Sequence, residues 1–449
     1  MDKILHGTSK SLRGAMSVPG DKSISHRAVM LGALSNGETH VTDFLNGADC
    51  LSTIGCFHAM GVPIEISDDE KEVTVHGVGL HGLKAPEEIL DCGNSGTTTR
   101  LISGILAAQI FSSELTGDAS IQKRPMKRIM TPLRLMGADI TSRYDNDCAP
   151  LIIKGQPLHG IRYESPVASA QVKSSILFAG LYADSETTVI EPSLSRDHSE
   201  RMLRALGAEV STKKLSDGRA EITIQPANQL NAFSETLSIP GDISSAAYFI
   251  TAALIVPGSD LLIRNVGINE TRAGILDVYR AMGGDIELVN ERLSGMEEVA
   301  DLHVKYSQLH GTEIGGALIP RLIDELPVVM VAALAAEGPT VIKDAQELKV
   351  KESNRIKVMA DGFRAIGLSA LETDDGMILD GYGEDLSAAI RSGVVDSLKD
   401  HRIAMTFAVL SLLAGQDATG RPIEITLRDA DCTRISYPSF YEDLYLTLR

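Results

Sequence analysis

The sequence predicts a mixed α/β fold of two lobes, each assembled from three repeated units of helices and strands. Three observations predict this fold. A helical pattern that ends at a glycine and passes into a strand-like stretch recurs along the chain. A second helical pattern, rich in alanine and leucine, recurs before a turn and a β-branched run. Similar sequences, PGDKS at 19–23 and PGDIS at 240–244, open the two halves of the chain.

The first pattern predicts five amphipathic helices that each end at a glycine. In two of them, at 275–282 and 356–366, apolar residues recur at helical spacing and form one apolar face. The glycine lies where a helix C-terminus favours a left-handed residue. The phrases recur at intervals of roughly 70–84 residues. They are Met60-Gly61-Val62, Met136-Gly137-Ala138, Leu206-Gly207-Ala208, Met282-Gly283-Gly284 and Ile366-Gly367-Leu368.

The second pattern predicts a helix, a turn and a strand in each unit. Its β-branched runs are typical of strands, and the polar turns before them end the helices. A stretch of the same kind at 411–430 completes six units. The other examples are SNGETHVTDF at 35–44, DSETTVIEP at 184–192, VPGSDLLIRNV at 256–266 and AEGPTVIKDA at 336–345.

The echo between the two halves predicts the domain boundaries. The N-terminal lobe covers residues 20–239. The C-terminal lobe covers residues 240–449 together with residues 1–19, because we expect the first strand of the chain to complete it. Hinges are expected near 19–20 and 238–241.

Polar turns rich in glycine or serine precede several of the predicted helices. The N-terminus of a helix carries unpaired N–H groups and a positive dipole end, each worth about 0.3–1 kcal/mol toward a nearby anion. We expect these helix starts to meet in one cleft that attracts phosphates and carboxylates. The turns are PGDKSISHR at 19–27, CGNSGTTTR at 92–100, SPVASAQVK at 165–173, PGDISSAA at 240–247 and LKDHRIA at 398–404.

Basic residues lie near the same turns, beside serine, threonine, asparagine and glutamine. Charge-assisted hydrogen bonds to phosphate contribute roughly 1.5–3 kcal/mol each. Arginine adds two-point recognition of carboxylate and phosphate. The set therefore predicts a site for two anions. Its members are Lys22, Arg27, Arg100, Lys123, Arg124, Lys127, Arg128, Lys173, Arg196, Arg272, Lys349, Lys351, Arg355 and Arg402.

The overall composition excludes several other classes of protein. The formal net charge is −18 and aromatic residues make up 4%, so neither the positive footprint nor the stacking side chains of a nucleic-acid-binding protein are present. The five cysteines are widely spaced, with no C-x-x-C, which favours a reducing, cytoplasmic compartment. The first ten residues have no apolar signal core. The longest apolar run, within 326–336, is shorter than the ~20 residues that span a bilayer.

Familiar cofactor motifs are also excluded. The G-x-G-x-x-G at 77–82 is not followed by a helical pattern, so we interpret it as a turn rather than a dinucleotide site. Gly20-Asp21-Lys22-Ser23 lacks the spacing of a nucleotide P-loop. The eleven histidines form no zinc-binding spacing with cysteine, and no G-x-S-x-G occurs.

Six motifs lie in order along nearly the whole chain. They are PGDKSISHRA at 19–28, GNSGT at 93–97 with Arg100, GD at 117–118 with KRPM at 123–126, IDELP at 323–327, LKVKESNR at 348–355 and DHRIAM at 400–405. These motifs resemble those of the enolpyruvyl transferases, and together they are specific for the 5-enolpyruvylshikimate-3-phosphate (EPSP) synthase family. Four shorter phrases resemble its class II branch: GDKS at 20–23, SAQVK at 169–173, RDHSE at 196–200 and NETR at 269–272.

The resemblance implies a fold and a reaction. The family fold is a two-lobed inverse α/β barrel in which each lobe has three βαβαββ repeats, which agrees with the six units found above. The implied reaction moves the enolpyruvyl group of phosphoenolpyruvate to the 5-hydroxyl of shikimate 3-phosphate and releases phosphate, in aromatic amino acid biosynthesis. It needs no organic cofactor and no metal. We expect a cytoplasmic monomer that binds these two small molecules and neither nucleic acid nor membrane.

The resemblance also implies the site residues. Asp324 is the expected base for the 5-hydroxyl, and Glu352 is expected to give and remove the proton at C3 of phosphoenolpyruvate. The residues expected to bind shikimate 3-phosphate are Lys22, Ser23, Arg27, Ser169, Ala170, Gln171, Arg196, Asp324 and Lys351. Those expected to bind phosphoenolpyruvate are Lys22, Asn94, Gly96, Arg124, Gln171, Arg355 and Arg402.

Two positions depart from common family patterns. Ile435 stands where many relatives have a lysine, with Arg434 one step earlier, so that lysine contact is not carried over. Gly96 stands where some class II members have alanine, which crowds the inhibitor glyphosate. Because glycine has no Cβ, we expect a roomier pocket that admits glyphosate.

Two rival functions stay open at this level. One is a UDP-N-acetylglucosamine enolpyruvyl transferase, which commonly has a cysteine in the loop that corresponds to 117–126, whereas this loop has none. The other is a non-catalytic repeat protein that binds anions or RNA, a role in which the two carboxylates would serve no purpose. Release of phosphate from phosphoenolpyruvate with each acceptor would distinguish the three.

Overall fold

The computed structural model describes residues 1–449, whose 23 strands form six small sheets. The sheets are divided between two units of the chain. The N-terminal unit comprises 20–239 and 294–296. The C-terminal unit comprises 1–19, 240–293 and 297–449.

The chain has fourteen α-helices, none of which has the length and hydropathy needed to cross a membrane. They are α1 (Lys22–Leu34), α2 (Ala48–Ala59), α3 (Gly96–Leu106), α4 (Lys127–Leu135), α5 (Ala170–Gly180), α6 (His198–Ala205), α7 (Ile243–Ile255), α8 (Gly274–Ala281), α9 (Ile319–Leu322), α10 (Leu326–Ala335), α11 (Arg355–Ala365), α12 (Leu386–Ala389), α13 (His401–Ser411) and α14 (Phe440–Thr447).

The strands are short. They are β1 (Lys3–His6), β2 (Arg13–Ser17), β3 (Asn36–Thr42), β4 (Ile64–Ile66), β5 (Val73–Val78), β6 (Leu90–Asp91), β7 (Ser112–Thr116), β8 (Asp139–Ser142), β9 (Leu151–Lys154), β10 (Arg162–Glu164), β11 (Thr187–Glu191), β12 (Val210–Lys214), β13 (Ala220–Ile224), β14 (Leu237–Ser238), β15 (Asp260–Gly267), β16 (Asp285–Ser294), β17 (Glu297–Lys305), β18 (Glu313–Ile314), β19 (Glu337–Ile342), β20 (Leu371–Glu372), β21 (Met377–Tyr382), β22 (Gly393–Asp396) and β23 (Glu424–Arg428).

One topology recurs in the sheets. In the unit formed by β6, α3, β7, α4, β8 and β9, the sheet order is β6-β7-β9-β8, and only the first pair is parallel. The sheets β10-β11-β13-β12 and β18-β19-β21-β20 have the same order and the same directions. This is the βαβαββ repeat, and the predicted fold class is confirmed.

Other sheets obtain their first strand from a distant part of the chain. Strand β14 pairs in parallel with β3 in the sheet β14-β3-β5-β4, and β2 pairs in parallel with β15 in the sheet β16-β17-β15-β2. The sixth sheet has only three strands, β1-β23-β22, in which β1 is antiparallel to β23. The segment before residue 19 therefore carries two strands in two sheets, whereas the sequence predicted one.

The glycine phrases end helices as predicted. The five central glycines are the second residues after α2, α4, α6, α8 and α11, and each phrase leads into a strand of the following hairpin. All five have a left-handed φ, between 84° and 97°, which a residue without a Cβ adopts at little cost. The G-x-G-x-x-G at 77–82 leaves β5 and passes into a turn, as interpreted from the sequence.

Three buried helices form the centre of each unit. They are α1, α3 and α5 in the N-terminal unit, and α7, α10 and α13 in the C-terminal unit. All thirteen residues of α7 are buried, which is expected of a helix that is apolar on every side. Each unit has its own apolar core around these helices. A side chain caps the N-terminus of five of them, as the polar turns predicted: Asp21, Ser95, Ser169, Asp242 and Asp400.

Candidate active site

Arg355 is the centre of a charge cluster in the C-terminal unit. This first residue of α11 is only 1% exposed and contacts three carboxylates. Its Nε lies 2.9 Å from Asp400 Oδ2, and its Nη1 lies 3.2 Å from Asp324 Oδ1. Its Nη2 lies 2.5 Å from Glu352 Oε2. The guanidinium therefore holds the two predicted catalytic carboxylates in a fixed relation to each other.

Asp400 joins the first turns of two helices. It caps α13 by accepting a hydrogen bond from the Arg402 N–H at 3.0 Å. It also accepts hydrogen bonds from Ser353 Oγ at 2.9 Å and from the Arg355 side chain. Because its carboxylate is fully buried, these donors satisfy it in place of water.

Asp324 lies between α9 and α10 with cations on two sides. Its Oδ1 is 3.2 Å from Lys351 Nζ, and its Oδ2 is 3.8 Å from Arg402 Nη2. The Asp324 side chain is 13% exposed and that of Lys351 is 27% exposed. Both can therefore reach a ligand, whereas Arg402, at 7%, is nearly covered.

The two arginines stay charged despite their burial. Burial disfavours a charged guanidinium, but Asp400 and Glu352 outweigh that effect and raise the pKa of Arg355. Burial likewise disfavours the charge of Arg402, but neighbouring acidic groups, Asp324 above all, outweigh that effect and raise the pKa of Arg402. Two permanent cations therefore lie beside Asp324, in a setting suited to a carboxylate or phosphate group.

A second buried network lies at the start of α7 and α10. Arg272 donates to Glu325 Oε1 at 3.0 Å, to Asp242 Oδ1 at 3.0 Å and to Ser244 Oγ at 2.8 Å. Glu325 follows Asp324 directly and is fully buried. This network therefore fixes the backbone from which the Asp324 side chain projects.

In the N-terminal unit, Arg124 lies beside the loop that precedes α3. Its Nη2 donates to Asn94 Oδ1 and, at 3.2 Å, to Ser120 Oγ. Asn94 in turn donates to Asp118 Oδ2 at 2.8 Å. Two predicted site residues, Asn94 and Arg124, are thus in direct contact.

Arg100 connects the starts of α3 and α5. Its Nη1 donates to Gln171 Oε1 at 2.7 Å, and Gln171 Nε2 donates to Thr97 Oγ1 at 3.0 Å. Arg100 Nη2 is also 3.4 Å from the carbonyl oxygen of Pro125. The Gln171 amide is therefore oriented by both of its ends.

Gly96, the first residue of α3, lies against both arginines. A Cβ at this position would be 2.6 Å from Arg100 Nη1 and 3.3 Å from Arg124 Nη1. The absence of a side chain therefore allows two guanidinium groups to approach the N-terminus of α3, where the backbone N–H groups point outward.

The first two turns of α1 carry three predicted site residues. Lys22 Nζ forms an ion pair with Asp49 Oδ2 at 3.0 Å, and Ser23 is half-buried. Arg27 is 3% exposed and packs against neighbouring helices: its Nε donates to Ser199 Oγ at 2.7 Å and its Nη2 to Ser174 Oγ at 2.9 Å. Lys22 and Ser23 are accordingly more accessible than Arg27.

The start of α5 and the loop before α6 carry the other residues of the N-terminal unit that are predicted to bind shikimate 3-phosphate. Ser169 caps α5, accepting a hydrogen bond from the Val172 N–H at 3.5 Å. Ala170, Gln171 and Arg196 are half-buried, as is Ser169 itself.

In the C-terminal unit, one contact network joins five predicted residues: Asp324, Lys351, Glu352, Arg355 and Arg402. In the N-terminal unit, the predicted residues belong to several smaller groups of contacts near the starts of α1, α3 and α5. The sequence did not predict a site role for Asp400 or Asp49, although an aspartate that opens a predicted helix was a signal for the first. Arg272 was predicted only as a member of the basic set, and its guanidinium pairs with Asp242 and Glu325. Of the pair that departs from the family pattern, Arg434 is exposed and Ile435 half-buried, in a short 3₁₀ turn at 430–435.

Comparison with known families shows which family the chain belongs to. The family model described as EPSP synthase (3-phosphoshikimate 1-carboxyvinyltransferase) matches residues 7–444. The chain belongs to the EPSP synthase family.

Curated members of the EPSP synthase family are close in sequence over almost their whole length. The 3-phosphoshikimate 1-carboxyvinyltransferase of Geobacter sp. (strain M21) is 52% identical over 436 residues, which are 96% of each chain. That of Brevibacillus brevis is 50% identical over 434 residues, or 97% of each chain.

Solved structures agree with the assignment. The EPSP synthase from Acinetobacter baumannii is 45% identical, with a TM-score of 0.85, and the match covers 100% of this chain and 98% of that one. The enolpyruvyl transferase NikO from Streptomyces tendae is 17% identical, with a TM-score of 0.79 over 99% of this chain and 97% of that one, and shares the fold.

Proposed function

We propose that this member of the EPSP synthase family transfers the 1-carboxyvinyl group of phosphoenolpyruvate to the 5-hydroxyl of shikimate 3-phosphate and releases phosphate. The reaction belongs to the shikimate pathway of aromatic amino acid biosynthesis. The observation that carries the proposal is the contact of Asp324, Glu352 and Arg355, with Lys351 and Arg402 around Asp324. Two carboxylates for proton transfer and three cations for anionic groups are what this reaction requires.

The cations bind the acidic groups of the two substrates. In phosphoenolpyruvate they hold the carboxylate and the phosphate, and the Gly96 backbone lets the ligand approach closely. The residues that bind phosphoenolpyruvate are Lys22, Asn94, Gly96, Arg124, Gln171, Arg355 and Arg402. Those that bind shikimate 3-phosphate are Lys22, Ser23, Arg27, Ser169, Ala170, Gln171, Arg196, Asp324 and Lys351, with Ser169 and Arg196 at its phosphate.

The chemistry consists of an addition followed by an elimination. Asp324 takes the proton of the 5-hydroxyl as its oxygen attacks C2 of phosphoenolpyruvate, and Glu352 delivers a proton to C3. In the second step Glu352 removes a proton from C3, the bond from C2 to the phosphate oxygen breaks, and the double bond forms again. The released phosphate carries away the proton that came from the 5-hydroxyl, which returns Asp324 to its ionised form. Each positioned carboxyl group contributes about 10²–10⁴-fold to the rate. Arg355 supports both groups, because it contacts both carboxylates.

Three finer properties belong to this proposal. The chain is of the class II type, because its phrases at 20–23, 169–173, 196–200 and 269–272 resemble that branch. It acts in the cytoplasm, as the cysteine pattern favours, and it acts as a monomer. It does not bind nucleic acid, since its net charge of −18 would repel a phosphate backbone outside a local basic site.

Phosphate release tests the function directly. The purified chain is incubated with phosphoenolpyruvate and with shikimate 3-phosphate, UDP-N-acetylglucosamine or no acceptor. We expect phosphate release only when shikimate 3-phosphate is the acceptor, together with a product that has gained the mass of a carboxyvinyl group. Release with UDP-N-acetylglucosamine instead would replace this function with that of the other enolpyruvyl transferase, and no release with any acceptor would contradict both.

A further inference from the structure

Glu191 is a buried carboxylate that the chemistry above does not use. It is the last residue of β11 and is 1% exposed. Its Oε1 accepts a hydrogen bond from the Ser169 N–H at 3.1 Å, and its Oε2 accepts one from the Ser195 N–H at 3.2 Å. Ser195 Oγ lies 2.7 and 2.9 Å from the two carboxylate oxygens. One side chain thus ties the start of α5 to the loop before α6.

Lys173 strengthens the same connection. Its Nζ, fully buried, lies 3.1 Å from Glu191 Oε2 and 2.7 Å from Glu200 Oε1, and it donates to the Ser195 carbonyl oxygen at 3.1 Å. Burial opposes its charge, but the carboxylates of Glu191 and Glu200 outweigh that effect and raise the pKa of Lys173. An ammonium group is thus held inside the unit, where it fixes the carbonyl of Ser195.

We propose that Glu191 is a positioning residue for shikimate 3-phosphate, because it holds Ser169 and Arg196 in one geometry. This inference rests on the proposed function, in which those two residues bind the phosphate. Ser169 is anchored through its backbone N–H. Arg196 follows Ser195, whose N–H, hydroxyl and carbonyl are all engaged by Glu191 and Lys173. Both phosphate contacts therefore start from a backbone that one carboxylate fixes.

The contacts require a carboxylate of this length. A glutamine has one acceptor oxygen, and its NH₂ group would face either the Ser169 N–H or the donors of Ser195 and Lys173. Leaving a buried donor without an acceptor is costly, so the loop would move to relieve the conflict. An aspartate keeps the charge but is one methylene shorter, so it cannot reach both segments at once.

The experiment compares Glu191→Gln with Glu200→Gln. Both positions are fully buried carboxylates paired with Lys173, but of the two only Glu191 contacts Ser169 and Ser195. Titration calorimetry with shikimate 3-phosphate is expected to show Kd raised at least about tenfold in Glu191→Gln and changed less than about twofold in Glu200→Gln. The KM for phosphoenolpyruvate, at saturating shikimate 3-phosphate, is expected to stay within about twofold in both variants.

Three outcomes would overturn the inference. The first is an unchanged Kd for shikimate 3-phosphate in Glu191→Gln, and the second is an equal rise of that Kd in both variants. The third is a rise in the KM for phosphoenolpyruvate in Glu191→Gln that equals the rise in its KM for shikimate 3-phosphate. If Glu191→Gln does not fold, as judged by its thermal transition, Ser195→Ala takes its place. This variant removes only the hydroxyl contact with Glu191 and should still raise the Kd for shikimate 3-phosphate about threefold. An unchanged Kd in Ser195→Ala would count against the inference as well. Failure of the wild type to release phosphate would contradict the proposed function instead.

Discussion

Arg355 and Asp400 form a two-point ion pair in the interior of the C-terminal unit, with Nε 2.9 Å from Oδ2 and Nη2 3.3 Å from Oδ1. Neither side chain is more than 1% exposed. Two parallel hydrogen bonds fix the plane of a guanidinium as well as its position. The direction in which Arg355 presents its other nitrogens to Asp324 and Glu352 is therefore set by a fully buried carboxylate.

The first prediction concerns Asp400→Asn. The amide keeps the cap oxygen of α13 but removes the charge that balances Arg355, so the free energy of unfolding should fall by about 3–5 kcal/mol, the usual effect of breaking a buried pair. The KM for phosphoenolpyruvate should rise because Arg355 loses its orientation. Urea unfolding and initial rates measure the two effects.

Asp361→Asn is the matched control for that variant. Asp361 lies on α11, is 46% exposed and pairs with Lys357 and Arg364 at the surface. Its replacement should change the free energy of unfolding by no more than about 0.5 kcal/mol. A loss of less than about 1 kcal/mol in Asp400→Asn would show that Arg355 is held mainly by its other partners.

The second prediction concerns Asp324→Asn and asks whether Asp324 acts in catalysis or only in substrate binding. Asp324→Asn keeps the shape of the side chain but cannot take the hydroxyl proton, so kcat should fall by about 10²–10⁴-fold while both KM values change modestly. Initial rates at saturating concentrations of both substrates measure it. Asp277→Asn, on the surface of the same unit and 47% exposed, should keep the wild-type kcat. A near-normal kcat in Asp324→Asn would remove this residue as the base.

The fold could be predicted where the signals are local. A glycine after an apolar helical face and a capping residue before a helix act within one turn, so the five left-handed glycines and the five capped starts are where the sequence placed them. Pairing of distant strands has no such signal. The residues of β14, LS, carry no pattern, yet they pair with Val41 and Thr42.

The sixth unit differs from the others for the same reason. Its repeat ends in a 3₁₀ turn and α14 instead of a hairpin, and β1 supplies the third strand of its sheet by pairing with Glu424–Arg428. The pairing joins the first residues of the chain to nearly the last. Periodicity in the sequence indicates that six units exist, but it does not indicate that one of them is incomplete.

In the candidate site, too, residues within local motifs could be predicted, whereas contacts between distant residues could not. Asp324, Glu352 and Arg355 lie within recognisable sequence motifs, and in the structure Arg355 contacts both carboxylates. The surroundings of Arg27 could not be predicted, because its donors meet Ser174 and Ser199, which are 147 and 172 residues away. Burial of a charged side chain depends on partners that only the folded chain brings near.

The third prediction concerns inhibition by glyphosate. Because Gly96 leaves room beside Arg100 and Arg124, the wild type should be inhibited tightly, in competition with phosphoenolpyruvate. In Gly96→Ala the new Cβ would lie 2.6 Å from Arg100 Nη1, so Arg100 must shift away from Gln171. The inhibition constant should rise by at least about tenfold and the KM for phosphoenolpyruvate by less. Equal inhibition of both proteins would contradict this account of the pocket.

The fourth prediction concerns the pH dependence of stability and rests on His26. Burial, then the charges of Lys22 and Arg27, hold the pKa of His26 well below its ordinary value of 6.5, against a smaller opposite effect of Asp21. The unfolded chain therefore gains a proton below about pH 6.5 that the folded chain does not. The contribution of His26 to stability is present above that pH and is lost as the pH falls.

The variant His26→Asn tests this contribution. An asparagine amide can replace the hydrogen bond of Nδ1 to Thr53 Oγ1, which is 2.7 Å long, without a titrating group. Between about pH 6.5 and 5, the free energy of unfolding of the wild type should fall more steeply than that of the variant, by a margin that approaches about 1.4 kcal/mol per pH unit at the lower pH. Parallel curves from denaturant unfolding across this range would show that His26 is protonated equally in both states.

The fifth prediction compares two glycines that have opposite roles. Gly55 lies within α2, and no neighbouring atom is close to the position that a Cβ would take there, so Gly55→Ala should raise the free energy of unfolding by about 0.5–1 kcal/mol. Gly283 follows α8 with φ of 86°, where an alanine is strained, so Gly283→Ala should lower it by about 1–2 kcal/mol. Thermal and urea unfolding of the two variants measure the direction in which each substitution changes the free energy of unfolding. If the two substitutions shifted stability in the same direction, the left-handed helix ends would not be what requires glycine in the repeated phrase.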